Sequence, residues 1–248
     1  MEILTGRHTV LEALRAGRRR VHRILLAEGV QERGPVADIL EQSRVAGVPV
    51  TRVRRRQLDD LDAHANHQGV AAQVSSYPYV SLDDLLALAE ERQEAPMLLA
   101  LDSVEDPQNV GSLLRTAEAV GVHGVLLPQR RAVGITPAVS RASAGAVEHL
   151  RIAQVTNLVR ALQELQGKGI WVVGVEDHPQ ARDYRRVDLN LPLVLVLGSE
   201  GRGMRRLVAE SCDLLIRIPM RGRIGSLNVS GAGALALYAA WQARGERE

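Results

Sequence analysis

Apolar and polar positions along the chain follow two periods, one suited to strands buried on both faces and one to amphipathic helices. In the first 75 residues, TVLEALRAG reads as a short helix with Thr9 near its cap and Gly17 as its stop. HRILLAEG follows as a buried strand, VADILEQSRVAG as an amphipathic helix ending at Gly47, and VPVTRV as a strand. RRRQLDDLD is a polar helix and GVAAQVSSY a last strand. Together they predict a compact α/β unit near the minimum size for independent folding. Pro78 breaks the pattern within SSYPYVS. DDLLALAEERQE is a charged helix capped by Ser81, and Pro96 ends it.

The pattern restarts at Met97. MLLALDSV, GVLLP, IWVVGVE, LPLVLVL and DLLIRIPM read as strands. NVGSLLRTAEAVG, TPAVSRASAG and NLVRALQELQGKG read as helices between them, with Thr136 and Pro137 in cap and first-turn positions. SLNVSGAGALALYAAWQARGE is a long final helix. Strands alternating with helices imply a largely parallel sheet covered on both faces. The expected organisation is a front α/β domain over 1–75, an acidic helical connector over 76–95, and a second α/β domain over 96–248.

Composition narrows the chemistry. Of the 248 residues 46% are hydrophobic but only 2% aromatic, with no Phe, so the cores must be aliphatic. The single cysteine, Cys212, excludes an intrachain disulfide and a cysteine metal cluster. It sits at the start of a strand, where a buried, inert thiol is expected. No apolar run approaches the roughly 18 residues of a membrane span and no leader pattern opens the chain, so the expected location is the cytosol. Net charge is only +2, but the acidic connector separates two mildly basic stretches, which suits an anionic partner. All basic residues but Lys168 are Arg, a bias that GC-rich coding explains without a functional reading.

Three segments could carry chemistry. GSEGRGM (198–204) follows the most apolar strand, and ligands of parallel α/β sheets sit at the carboxyl ends of strands. Its glycine spacing is not the dinucleotide GxGxxG, and the chain has no GK[ST] loop. Glu200 in the loop would repel phosphate, so a cationic ligand without phosphate fits better. A tight turn requiring glycine is the plain alternative. IPMRGRIGSLNVSGAGALALY (218–238) brings Ser226, Asn228 and Ser230 to the start of a helix that is small and apolar all round, the mark of burial on more than one side or against a second subunit. LDSVEDPQNVGSLLRTAEAVG (101–121) places Asn109 at a helix start and Arg115 six positions on, off its strict face. Arg115 among apolar neighbours needs an anion, or else pairs with Glu118 at the surface.

DPQNVGSLLRTAEAVG, LVLGSEGRGM and IPMRGRIGSLNVSGAGALALY together resemble, in order and spacing, the motifs of the SpoU (TrmH) branch of the SPOUT methyltransferases, over about residues 97–248. TGRHTVLEAL and HQGVAAQV resemble the ribosomal-protein-like RNA-binding domain that precedes catalysis in one subgroup. That subgroup includes bacterial enzymes methylating a guanosine ribose of 23S ribosomal RNA. The resemblance implies an α/β SPOUT domain with a mostly parallel sheet and a deep trefoil knot, working as a homodimer. It implies S-adenosylmethionine held around Leu197, Gly198, Gly201, Ile218, Met220 and Leu227, with no metal. Asn109, Arg115, Glu200, Ser226 and Asn228 match the family's functional positions, and Ser199 stands where some relatives carry Asn. Arg7, and Arg18, Arg19 and Arg20 in RAGRRRVHR, are the expected RNA contacts of the front domain, joined by Arg115. A solvated charge run is the plain reading of the last three.

The chemistry so implied is in-line attack of a ribose 2′-oxygen on a sulfonium methyl, which requires proton removal and near-attack positioning. The family account makes an arginine the base. Because a guanidinium holds its proton at ordinary pH, a phosphate clamp that stabilises the alkoxide is the other role open to Arg115. Glu200, Ser226 and Asn228 would order the site. Rival readings are a tRNA ribose methyltransferase with the same catalytic domain, a non-catalytic RNA-binding assembly factor, and, weakened by the missing GxGxxG, a nicotinamide oxidoreductase.

Overall fold

The computed structural model describes residues 1–61 and 66–245. Asp62, the last position of the polar helix expected over 54–62, and Glu246, the last of the final helix, lie outside them. The chain opens with β1 (Glu2–Thr5), α1 (Arg7–Ala16), β2 (Val21–Ala27), α2 (Pro35–Val45), β3 (Val50–Val53), α3 (Arg55–Asp59) and β4 (Val70–Val74). It continues through α4 (Leu82–Arg92), β5 (Met97–Leu101), α5 (Pro107–Ala119), β6 (Gly124–Pro128) and α6 (Pro137–Ala142), then a 3-10 turn at Ala146–His149. The last stretch holds β7 (Ile152–Val155), α7 (Leu158–Gly167), β8 (Trp171–Val175), β9 (Arg182–Asp183), β10 (Leu193–Leu197), α8 (Arg206–Glu210), β11 (Leu214–Arg217) and α9 (Val229–Ala243).

Two compact units emerge. The first is Met1–Pro78 together with Ile135–His149; the second is Tyr79–Gly134 with the chain from Leu150 onward. The division differs from the sequence expectation in two ways. The acidic helix α4 belongs to the second unit, because Leu85 is buried in that core. Residues 135–149 belong to the first, because Val147 and Arg141 bond to it: Tyr77 Oη donates to the Val147 carbonyl at 3.2 Å and Arg141 Nη1 to Thr5 Oγ1 at 3.0 Å.

In the first unit the sheet runs β1-β4-β2-β3, with β4 antiparallel to both neighbours and β2 parallel to β3. Leu4, Val10, Ile24, Leu26, Val36, Ile39 and Val70 form its core. β1 escaped the sequence reading because four residues at a chain end are too few to display a period. Arg19, expected as an RNA contact, is instead buried. Its guanidinium meets Glu2 at 2.6 Å, Glu148 at 2.9 Å and Ser140 Oγ at 3.4 Å, and lies 5.0 Å from the Tyr77 ring centroid. The correction follows from geometry: a side chain enclosed by two carboxylates cannot reach a phosphate. Burial pushes the Glu148 carboxyl above the usual carboxylate range, against the opposing pull of Arg19 and Ser140.

The second unit has a seven-stranded sheet in the order β7-β6-β5-β10-β8-β11-β9, in which every neighbouring pair is parallel. β10 is central, and all five of its residues, LVLVL, are buried. A parallel strand covered on both faces needs no polar alternation. Leu98, Ala100, Leu126, Val172, Val194 and Val196 pack with Leu158, Leu162 and Leu165 of α7. The sequence reading passed over β7, β9 and α8, which are short and lack a clear period. α9 lies against α5, and Gly233 explains its small residues: a Cβ there would fall 2.3 Å from Leu113 Cδ2 and 2.6 Å from Leu197 Cδ1. Leu235 and Tyr238 on the same helix are exposed. Among the described residues no helix is long and apolar enough to cross a membrane.

His123, just before β6, bridges two segments. Its Nδ1 accepts from Met97 N at 3.0 Å, so the neutral ring carries its proton on Nε2, 3.0 Å from Glu94. Burial lowers its pKa below 6.5, against the upward pull of Glu94. The unfolded chain therefore takes up a proton before the folded one does. The stability this ring contributes is present above about pH 6.5 and is lost as pH falls. Urea melts between pH 8 and pH 5 should show that decline, and His123→Gln should flatten it. Equal slopes for the two proteins would refute the linkage.

Candidate active site

The site begins where β10 ends. Gly198 has no room for a side chain: a Cβ would lie 2.2 Å from both Gly203 C and Met204 N. The loop closes on itself there, with Ser199 N donating to Gly203 O at 3.0 Å and Gly203 N to Ser199 O at 2.9 Å. Gly201 and Gly203 adopt φ of +75° and +66°, conformations an L side chain rarely takes. A Cβ on Gly203 would also strike Glu176 Oε1, which accepts from Met204 N at 3.2 Å.

The loop exit is tied to the end of β5. Asp102, with no exposed surface, accepts from Arg205 N at 2.7 Å and Nε at 2.7 Å and pairs with Nη2 at 2.6 Å. Sequence reasoning missed this pair and Glu176. The available signal was a carboxylate directly after the five apolar residues of β5.

So fixed, the loop presents Glu200 to the starts of two helices. Asn109, in the first turn of α5, donates from Nδ2 to Glu200 Oε1 at 3.1 Å. Asn228 is the N-cap of α9: its Oδ1 accepts from Ser230 N at 2.8 Å, while its Nδ2 donates to Asn109 Oδ1 at 3.0 Å and also to Glu200 Oε1. Three residues 28 to 119 positions apart thus form one hydrogen-bonded cluster. Both amides donate to a carboxylate lying at two helix N-termini, where negative charge is favoured.

A cleft of about 590 Å³ opens beside the cluster. Leu197, Gly198, Gly201, Ile218, Met220 and Leu227 all line it, with Glu200, Ser226 and Asn228. Glu176 and Asp177 add carboxylates, and Arg202 is the one basic lining residue among those described. Met220 and Leu227 are 37% and 38% exposed, apolar surface that a ligand would cover. Glycine backbone, apolar walls and an excess of carboxylate suit a cationic ligand without phosphate.

Arg115 is elsewhere. It is exposed, about 9 Å along α5 from Asn109 at 1.5 Å per residue. Among the described residues its side chain makes no hydrogen bond or ion pair, with Glu118 or any other. In the first unit, Arg18 is partly buried, with Nη1 donating to Tyr77 Oη at 3.0 Å. The Arg20 side chain is exposed, and Arg7 Nε donates to the Gln68 carbonyl at 3.1 Å. Cys212 is half-buried, and burial, aided by Asp213, pushes its thiol up to about 12, so it is no nucleophile.

The chain matches the SpoU rRNA Methylase family over residues 96–238 and the domain described as RNA 2′-O ribose methyltransferase substrate binding over residues 3–80. It is 46% identical to YacO of Bacillus subtilis, named for the TrmH family of tRNA/rRNA methyltransferases, across 98% of this chain and 96% of that one. Its fold is similar to AdoMet-bound rRNA methyltransferase from Sinorhizobium meliloti, at TM-score 0.79 and 27% identity, over 97% of this chain and 87% of that one. The fold is also similar to the SpoU methyltransferase AviRb from Streptomyces viridochromogenes, at TM-score 0.81 and 24% identity, over 98% and 89% of the two chains.

The loop geometry separates its glycines. Gly198→Ala forces a Cβ into backbone and should cost about 2 kcal/mol or more by overpacking. Gly201→Ala meets open space and should cost only the left-handed penalty, about 1 kcal/mol. Urea unfolding of the two variants should rank them in that order; the reverse order would contradict the close approach at Gly198.

Proposed function

The chain belongs to the SpoU rRNA methylase family of RNA methyltransferases, and we propose that it methylates the 2′-oxygen of a guanosine ribose in 23S ribosomal RNA, in the cytoplasm, with S-adenosylmethionine as donor. The Glu200–Asn109–Asn228 cluster on the rim of a carboxylate-rich, glycine-walled cleft carries this reading. The cofactor residues are Leu197, Gly198, Gly201, Ile218, Met220 and Leu227, whose backbone and apolar side chains suit an adenine and a thioether, while Glu176, Asp177 and Glu200 suit a positive charge. When bound, S-adenosylmethionine supplies an electrophilic methyl on a sulfonium.

The chain's own residues do the positioning. Asn109 and Asn228 hold Glu200 Oε1 and orient its carboxylate toward the cleft, and Ser226 on the same rim offers a hydroxyl to the ribose. Arg115, exposed and without a protein partner, binds the phosphate next to the target nucleotide. Its charge also stabilises the 2′-oxygen as its proton passes to solvent water, the C–S bond of the sulfonium breaking as the O–C bond forms and a neutral thioether being left. The glycine-rich backbone at 198–203 and the walls at Ile218 and Met220 would hold the methyl donor, so that proximity and orientation are what this chain contributes to the transfer.

The test uses unmodified 23S ribosomal RNA and bulk tRNA. The protein should bind S-adenosylmethionine by calorimetry and methylate the ribosomal transcript. Arg115→Ala should bind the cofactor unchanged yet transfer methyl about 100-fold more slowly or worse. Wild-type single-turnover rates in Arg115→Ala would remove Arg115 from the site, and methylation confined to tRNA would redirect the substrate.

The protein acts, in this reading, as a homodimer. Leu235 and Tyr238, one turn apart on α9, expose 42% and 45% of their surface, an apolar pair suited to a second copy. Sedimentation at micromolar concentration should give a dimer that Leu235→Glu/Tyr238→Glu dissociates; a wild-type monomer would overturn this.

A further inference from the structure

We infer that the first unit grips the RNA backbone at one arginine-lined cleft, formed by Arg7, Arg33 and Arg55, and not along the 18–20 run. The inference rests on the RNA-methyltransferase reading and names where that substrate is held.

Two adjoining clefts of about 420 Å³ each share Arg7 and Arg55 as lining residues; Arg33 and Gly29 line one, His8 and Gln68 the other. The three arginines come from separate places in the sequence: the first turn of α1, the β2–α2 loop and the start of α3. The loops that carry them are pressed together. A Cβ on Gly69 would lie 2.4 Å from Val30 Cγ2, and Gln68 clasps Arg7, accepting from its backbone N at 3.2 Å and from Nε at 3.1 Å. That clasp fixes the stem of Arg7, whose terminal nitrogens make no hydrogen bond among the described residues.

Partnering elsewhere in the unit sharpens the contrast. Arg15, Arg19, Arg44 and Arg52 pair with carboxylates, and Arg18 is held against Tyr77. The Arg33 and Arg55 side chains make no hydrogen bond or ion pair among the described residues; those of Arg20, Arg23 and Arg56 are likewise unpaired but line neither cleft. Among the described residues one carboxylate, Glu28, lines the cleft against three guanidinium groups. Converging cations in a concave, otherwise polar site attract an anion. Planar guanidinium forks match phosphate oxygens in pairs. Three forks around a groove fit a run of phosphodiesters better than a single small anion. The lining lacks the exposed aromatic or large apolar side chains that insertion into a lipid surface would use.

The test is filter binding of the full-length protein to an unmodified 23S ribosomal RNA transcript across a potassium chloride series. Arg7→Ala/Arg33→Ala/Arg55→Ala should bind about tenfold or more weakly, and its salt dependence should be shallower by about two to three logarithmic units per decade, the loss of roughly three phosphate contacts. Arg20→Ala/Arg23→Ala/Arg44→Ala removes equal charge outside the cleft and should stay near wild type. Calorimetry with S-adenosylmethionine and a thermal melt check that the cleft variant is folded with its cofactor site intact. Wild-type affinity and slope in the cleft variant, or an equal loss in the control, overturns the inference. Absence of cofactor binding in the wild-type protein would instead overturn the methyltransferase reading on which it rests.

Discussion

A carboxylate without exposed surface ties together the end of the second unit where the cleft opens. Asp102 ends β5, and its ion pair with Arg205 is made through the arginine's backbone as well as its side chain. Asp102 is buried while the Arg205 side chain is 40% exposed, so losing that guanidinium would leave a buried carboxylate short of its charged partner. The pair therefore sets where the chain leaves the glycine loop. With the exit set by Arg205 and the entrance by β10, the loop can close only if Gly198 has no side chain. Glu200 is then carried to the place where Asn109 and Asn228 both donate to it. The cleft, its carboxylate lining and the cluster on its rim all follow from that closure.

The first unit uses buried charge for a different end. Glu2, Arg19 and Glu148 lie far apart in sequence, and their contacts, with Ser140 and Tyr77, join the N-terminal strand to residues 135–149. Such a cluster contributes little net stability over an apolar one of the same shape, but it is directional and admits one arrangement. It also divides the labour among arginines. Arg19 is consumed by the fold and Arg18 by Tyr77, while Arg7, Arg33 and Arg55 remain with unsatisfied donors around a groove.

Small residues on α9 follow the same logic. Gly233, Ala236 and Ala240 are buried, and Gly233 admits the side chains of Leu113 and Leu197. Their size is thus explained within one chain, by the close approach of α9 to α5 and β10. Leu235 and Tyr238, on the other side of α9, stay exposed.

Much of this was legible from the chain alone, because apolar period reports burial directly. The longer helices and strands of both units in their order, the parallel sheet, the caps at Ser81 and Thr136, and the three motif segments could be read without coordinates, while the short β1, β7, β9 and α8 could not. Tertiary structure decided what depends on residues distant in sequence. A run of three arginines looks uniform until folding places Glu2 and Glu148 around the middle one, because pairing depends on distance in space and not on position in the chain. Asp102 reads as an ordinary acid after a strand until Arg205, 103 positions on, closes over it. Asn109, Glu200 and Asn228 stand in separate motifs, and only the crossing of α5, α9 and the glycine loop makes them one hydrogen-bonded group. Local pattern determines elements because neighbouring residues share one backbone geometry; side-chain chemistry is decided by partners, which only the fold brings near.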